Sequence, residues 1–174
     1  MTVKSIRRLA VSGTLAFGVL TGGGLAAKAQ DEALVSFSVM KPEIAVKLAQ
    51  AAMESCRGKG AQVAVAVVDR FGNLQMMLRD RFAGAHTPET ARRKAWTAVS
   101  FRNDTLALSE VAKPGAEAYG ANFITEALML GGGVPVEAAG SIVGGVGVSG
   151  APGGDMDDAC ARAGIEAVAA DLAF

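Results

Sequence analysis

The sequence predicts an α+β domain in which helices pack on the faces of a mostly antiparallel sheet. Three observations predict it. A four-residue apolar period begins at Pro42, two short apolar runs flank a turn at residues 69–73, and an acid-led apolar stripe closes the chain. Taken in order, the elements read α-β-β-α-α-β-β-α, and hairpin connections give antiparallel neighbours.

The first helix is carried by Ile44, Leu48, Ala52 and Cys56, four residues apart, with Ala45, Ala51 and Met53 widening the stripe. Pro42 and Glu43 suit its first turn, and Gly58 and Gly60 its exit. Residues 63–68 are apolar at every position, as in a strand buried on both faces. Asp69, Arg70, Phe71, Gly72 and Asn73 then turn the chain into a returning strand at residues 74–79. After a loop at residues 80–84, a helix opens near His86, with Thr87 as the expected N-cap and Pro88 in the first helical position. Ala91, Ala95 and Ala98 form its seam, and Arg92, Arg93 and Lys94 fan around it. Asn103, Asp104 and Thr105 cap a short helix expected at residues 104–110. Residues 112–123 are loop-like. Pro135 makes the strand at residues 134–136 an edge or a very short one, and residues 141–149 form the last strand. Asp155, Asp157 and Asp158 favour a helix start, and Cys160, Ala161, Gly164, Ile165, Val168 and Leu172 make that helix's stripe.

The 174 residues suffice for one ordinary domain, with 51% hydrophobic and 5% aromatic side chains, so the core is aliphatic. A zero formal charge conceals an asymmetry. Residues 1–29 hold Lys4, Arg7, Arg8 and Lys28 and no acid, then an apolar stretch and the small residues Ala27 and Ala29. Those are the parts of a cleavable signal peptide at residues 1–29. A lead-in at residues 30–38 and a single domain at residues 39–174 are expected to follow. Ser12, Gly13, Thr14 and Gly22 to Gly24 make the apolar stretch weak for a membrane anchor, and no membrane span is expected in the mature chain. Arg7 and Arg8 loosely resemble a twin-arginine signal, but their neighbours fit general export better. Removing those four basic residues leaves 13 basic against 17 acidic side chains. A mildly acidic chain without a basic cluster is a poor nucleic-acid binder. Periplasmic or secreted placement permits a disulfide between Cys56 and Cys160, with two buried thiols as the alternative.

Gly145-Val146-Gly147-Val148-Ser149-Gly150 spells G-x-G-x-x-G, but its context is wrong for a dinucleotide. One helix follows it, without the second strand and acidic strand end such a site requires. Asp155, Asp157 and Asp158 also crowd the helix start where a phosphate would sit. The glycines are better explained by close backbone approach. His86 is the single histidine, so a hydrolytic triad must use it, and Ser149 lacks the G-x-S-x-G setting. One histidine and two distant cysteines also lack zinc-site spacing. For a lone loop histidine such as His86 the ordinary reading is a solvated or capping side chain, while a neutral imidazole can also ligate a haem iron. Arg79 and Arg81 are candidates to pair with propionates, and Phe82 to line a flat slot. Thr87 is the cap or a hydroxyl ligand. Tyr119, Met76 and Met77 are lesser candidates.

Val65-Ala66-Val67-Val68-Asp69 with Gly72-Asn73-Leu74, Gly84-Ala85-His86-Thr87 with Lys94-Ala95-Trp96-Thr97-Ala98, and Gly132-Gly133-Val134-Pro135-Val136 with the stretch through Gly150 form three ordered motifs. Together they resemble the GlcG/HbpS-type haem-binding family over residues 38–172. The resemblance implies a profilin-like sheet with helices on both sides, a homo-oligomer, and binding of haem or a related tetrapyrrole. It points to His86 or Thr87 as the metal ligand. The leading expectation is therefore an exported haem-binding protein that stores, delivers or senses haem, with an envelope sensor as a candidate partner. A cofactor-free oligomeric interaction module is the alternative. An enzyme acting on a small molecule or on haem, with Arg79, His86 and Lys94, ranks third for want of a nucleophile–base pair.

Overall fold

A computed structural model of the chain describes residues 33–173. The expected signal peptide therefore lies outside the described residues. Helix α1 (Pro42–Gly58) leads into the hairpin β1 (Ala64–Asp69) and β2 (Leu74–Arg79). Next come α2 (Thr87–Phe101), α3 (Thr105–Val111) and a 3-10 segment (Glu117–Phe123). The strands β3 (Gly133–Ala138) and β4 (Ser141–Ser149) follow, then α4 (Gly154–Glu166) and the short α5 (Ala169–Leu172). The four strands form one sheet in the order β2-β1-β4-β3, antiparallel throughout. This is the α+β architecture expected from the sequence.

Strand β1 shows why an unbroken apolar run is needed. Val65 and Val67 face a large core containing Leu48, Ala52 and Met53 of α1 and Ala161 of α4. Ala64, Ala66 and Val68 face a smaller core with Ala91, Ala95 and Val99 of α2. Alternate side chains thus serve opposite layers, as the strand period demands. Cys56 and Cys160 join α1 to α4 in a disulfide with an S–S distance of 2.11 Å, which resolves the alternative left by the sequence.

The glycines of β4 decide how closely α2 lies on the sheet. A Cβ on Gly147 would sit 2.0 Å from the Ala91 carbonyl oxygen, and one on Gly145 would sit 2.6 Å from Val99 Cγ1. The alanine seam of α2 and the glycine face of β4 therefore meet backbone to backbone. Strand β3 is the edge that Pro135 implies, and it runs for six residues.

Two local expectations change. Thr87 is not the N-cap of α2; His86 holds that position in a helical conformation, without a side-chain cap. The buried Thr87 hydroxyl turns back instead and donates to the Gly84 carbonyl at 2.7 Å. Asp157 does more than complement the dipole of α4, because it is buried against Lys94 at 2.8 Å. Asp104 does cap α3, accepting from the Ala107 amide at 2.7 Å.

Candidate functional site

The loop between β2 and α2 is fixed at its base. Asp80 is buried and receives Arg57 through Nε at 2.7 Å and Nη2 at 3.1 Å. Its Oδ1 also accepts the Arg81 amide at 2.8 Å. These hydrogen bonds, led by Arg57, hold its carboxyl below the usual carboxylate range. The Phe82 amide is anchored to Gln62 Oε1 at 3.0 Å, while the Phe82 ring stands 78% exposed. The chain then bends through Gly84, whose missing Cβ leaves room for the His86 ring; a Cβ there would lie 2.8 Å from His86 Cε1.

Phe82, His86 and Thr87 line one cleft of about 580 Å³. One side is the start of α2, and the other is the glycine-rich turn from Gly150 to Gly154. Leu128 and Leu130 add apolar surface. Three residues of α2 hold that neighbouring segment in place. Arg92 binds Glu126 at 2.6 Å, Arg93 donates to the Glu126 and Ala127 carbonyls at 3.3 and 2.6 Å, and Thr97 Oγ1 accepts the Leu128 amide at 2.9 Å.

The sequence candidates divide. His86 is exposed, and no described residue hydrogen-bonds its ring nitrogens. Thr87 reaches the cleft but is 1% exposed. Arg79 and Arg81 do not line it. Arg79 turns to the Ala83 carbonyl and braces the loop, and Arg81 lines a separate niche of about 190 Å³ beside Arg57 and Asp80. Nearness in sequence does not bring these two guanidiniums to the histidine. Tyr119 packs edge-on against Phe123, with ring centroids 5.5 Å apart, outside the cleft. A second cleft of about 490 Å³, lined by Arg102, Asp104, Glu137 and Arg162, contains none of the candidates.

The structure gives Lys94, which the sequence offered only as part of a third-ranked enzyme site, a buried partner in Asp157. Lys94 is 1% exposed, and its Nζ donates to Asp157 Oδ2 at 2.8 Å and to the Val148 carbonyl at 2.9 Å. Asp157 Oδ1 accepts the Ala151 amide at 3.0 Å. Burial pushes the Lys94 ammonium down from its ordinary pKa and the Asp157 carboxyl up, each opposed by the other's charge. The pair ties α2, the end of β4 and the start of α4 together beneath the cleft. A signal existed: Lys94 falls among Ala91, Ala95 and Ala98 on the buried face of α2. A cation on such a face requires a buried acid. Among the described residues no group of three or more histidine, cysteine or acidic side chains is placed to hold a metal ion alone.

Comparison with known proteins agrees with this architecture. Residues 40–166 match the model of the family described as haem degrading protein HbpS-like. A crystal structure of a Streptomyces reticuli HbpS double mutant is similar, with TM-score 0.73, 38% identity, and coverage of 90% of this chain and 97% of that one. The crystal structure of a PduOC–haem complex is similar at TM-score 0.70 and 31% identity, covering 74% of this chain and 94% of that one. In sequence, the corrinoid adenosyltransferase PduO of Salmonella typhimurium is 35% identical over 106 residues, 60% of this chain. That match spans 32% of PduO's own length. On the extent of the family match and the shared fold, this chain belongs to the HbpS-like family.

Proposed function

We propose that this chain is an exported haem-binding protein that stores, delivers or senses haem, seated in the Phe82–His86 cleft with His86 as axial ligand. The carrying observation is an imidazole with no described hydrogen-bond partner at the edge of a cleft with a glycine-rich wall. The fit is chemical as well as spatial. A cleft of about 580 Å³ is in the range of small-molecule sites, roughly 300–1,000 Å³. Gly150, Gly153 and Gly154 present backbone to a flat molecule, while Phe82, Leu128 and Leu130 supply apolar surface. Bound haem would supply the iron; the chain supplies the nitrogen ligand, the apolar bed and, in Arg93, a cation in the cleft lining. The solved PduOC–haem complex supports the ligand class. Thr87 is the weaker ligand candidate, since its hydroxyl is buried and engaged with Gly84.

The buried disulfide supports export, because such bonds persist in oxidising compartments. Homo-oligomeric assembly is part of this reading, with exposed Phe71 and Phe123 as apolar surface open to a second copy. Titration of the purified protein with haem should produce a saturable Soret change. His86→Ala should shift that band and weaken binding, and Thr87→Val should leave it in place. An identical spectrum and affinity in His86→Ala would remove the ligand assignment. The family description also raises haem degradation as a second reading. Steady loss of the Soret band with an electron donor would favour that reading over storage.

A further inference from the structure

We infer that Arg93, assisted by Ser149, recognises a carboxylate on the ligand, so the cleft selects a planar apolar acid rather than a planar apolar molecule in general. This rests on the cleft being the binding site proposed above. Of the three consecutive cations on α2, Arg93 is the one without an ion pair among the described residues. Arg92 is neutralised by Glu89 at 2.7 Å and Glu126 at 2.6 Å. Lys94 is neutralised by Asp157. Arg93, which also lines the cleft, makes no ion pair among the described residues. Its Nε and Nη2 donate to backbone carbonyls, which fixes the guanidinium plane, and Glu89 feels its charge only through space, without an ion pair. Guanidinium has five donor hydrogens, so several remain for an incoming anion. Its planar fork suits a carboxylate.

Two further features of the same cleft agree. Ser149 is 5% exposed and lines it, and no described residue hydrogen-bonds its hydroxyl. The 13-residue α4 begins beside it at Gly154, preceded by Gly153, which provides no side-chain cap. Its first amides therefore add positive potential. Two of the three acids that argued against an anion at this helix start are otherwise engaged. Asp157 is paired with Lys94 and Asp158 binds Arg162 at 2.7 Å, whereas Asp155 keeps a carboxylate oxygen beside Gly153.

The test compares protoporphyrin IX, an iron-free diacid, with its dimethyl ester, measured by fluorescence titration of the wild type, Arg93→Gln and Ser149→Ala. The wild type should bind the acid about ten- to a hundredfold more tightly than the ester, the size expected of a charge-assisted hydrogen bond. Arg93→Gln should abolish most of that preference, and Ser149→Ala should reduce it. Equal wild-type affinity for acid and ester would overturn the inference. So would an Arg93→Gln variant that weakens both ligands equally, because Arg93 would then act only by holding residues 126–127. Iron ligation is read separately, by the effect of His86→Ala on haem. A wild type that binds haem through His86 but shows no acid preference defeats this inference alone. One that binds no porphyrin removes both.

Discussion

At the scale of single residues, the buried Lys94–Asp157 pair is the sharpest commitment in the molecule. Removing one partner leaves a charge stranded where both side chains are almost wholly buried. Lys94→Met should therefore destabilise the fold by about 3–5 kcal/mol, read from the urea unfolding midpoint, and Lys94→Met with Asp157→Leu should recover much of the loss. A double variant no better than the single one would mean that the pair does not account for the loss. Asp80 gives a pH-dependent counterpart. Arg57 holds its folded-state pKa below the unfolded value, roughly 4. Its contribution is thus full above that pH and is lost as pH falls through the folded value. Asp80→Asn should flatten the acid limb of the stability profile; an unchanged limb would contradict it. His86 and Phe82, expected at the site from the loop sequence, both line the cleft. Arg79 and Arg81 could not be placed, because loop bracing and strand geometry decide where guanidiniums end.

At the scale of elements, the contact between α2 and β4 determines the shape of the site. The alanine seam and the glycine strand each look unremarkable in sequence. Together they bring the helix backbone onto the sheet, leaving a Gly147 Cβ only 2.0 Å from the Ala91 carbonyl oxygen. Gly147→Ala should destabilise by about 1–3 kcal/mol or more, since the helix must lift to admit a methyl group. Gly120→Ala, with nothing within 4 Å, should stay within about 0.5 kcal/mol. Thermal melts of the two variants make the comparison, and equal shifts would count against the close-approach explanation. Most elements were legible from hydrophobic period and turn chemistry. Thr87 was misplaced by one position because a buried threonine can satisfy its hydroxyl by donating backward to Gly84. No local pattern carries that choice.

At the scale of the whole molecule, a disulfide spans 104 residues and ties the first helix to α4. In the chain-entropy model a closure of that size contributes about 4–5 kcal/mol. Replacing both cysteines with alanine should lower the urea midpoint under oxidising conditions and change it little under strong reductant. Equal loss in both conditions would assign the effect to packing instead. The order of elements could be read along the chain, whereas the strand order β2-β1-β4-β3 could not. Periodicity reports which face of a strand is buried, not which distant strand lies beside it. The same limit left Cys56 and Cys160 open until α1 and α4 were seen side by side.

Haem binding in this cleft is tested most simply by the absorption spectrum of the full chain purified from haem-supplemented cells. Haem ligated by His86 should give a Soret band with haem in fixed proportion to protein, displaced in His86→Ala. A protein that emerges without that band, and takes up no haem when titrated afterwards, would contradict it.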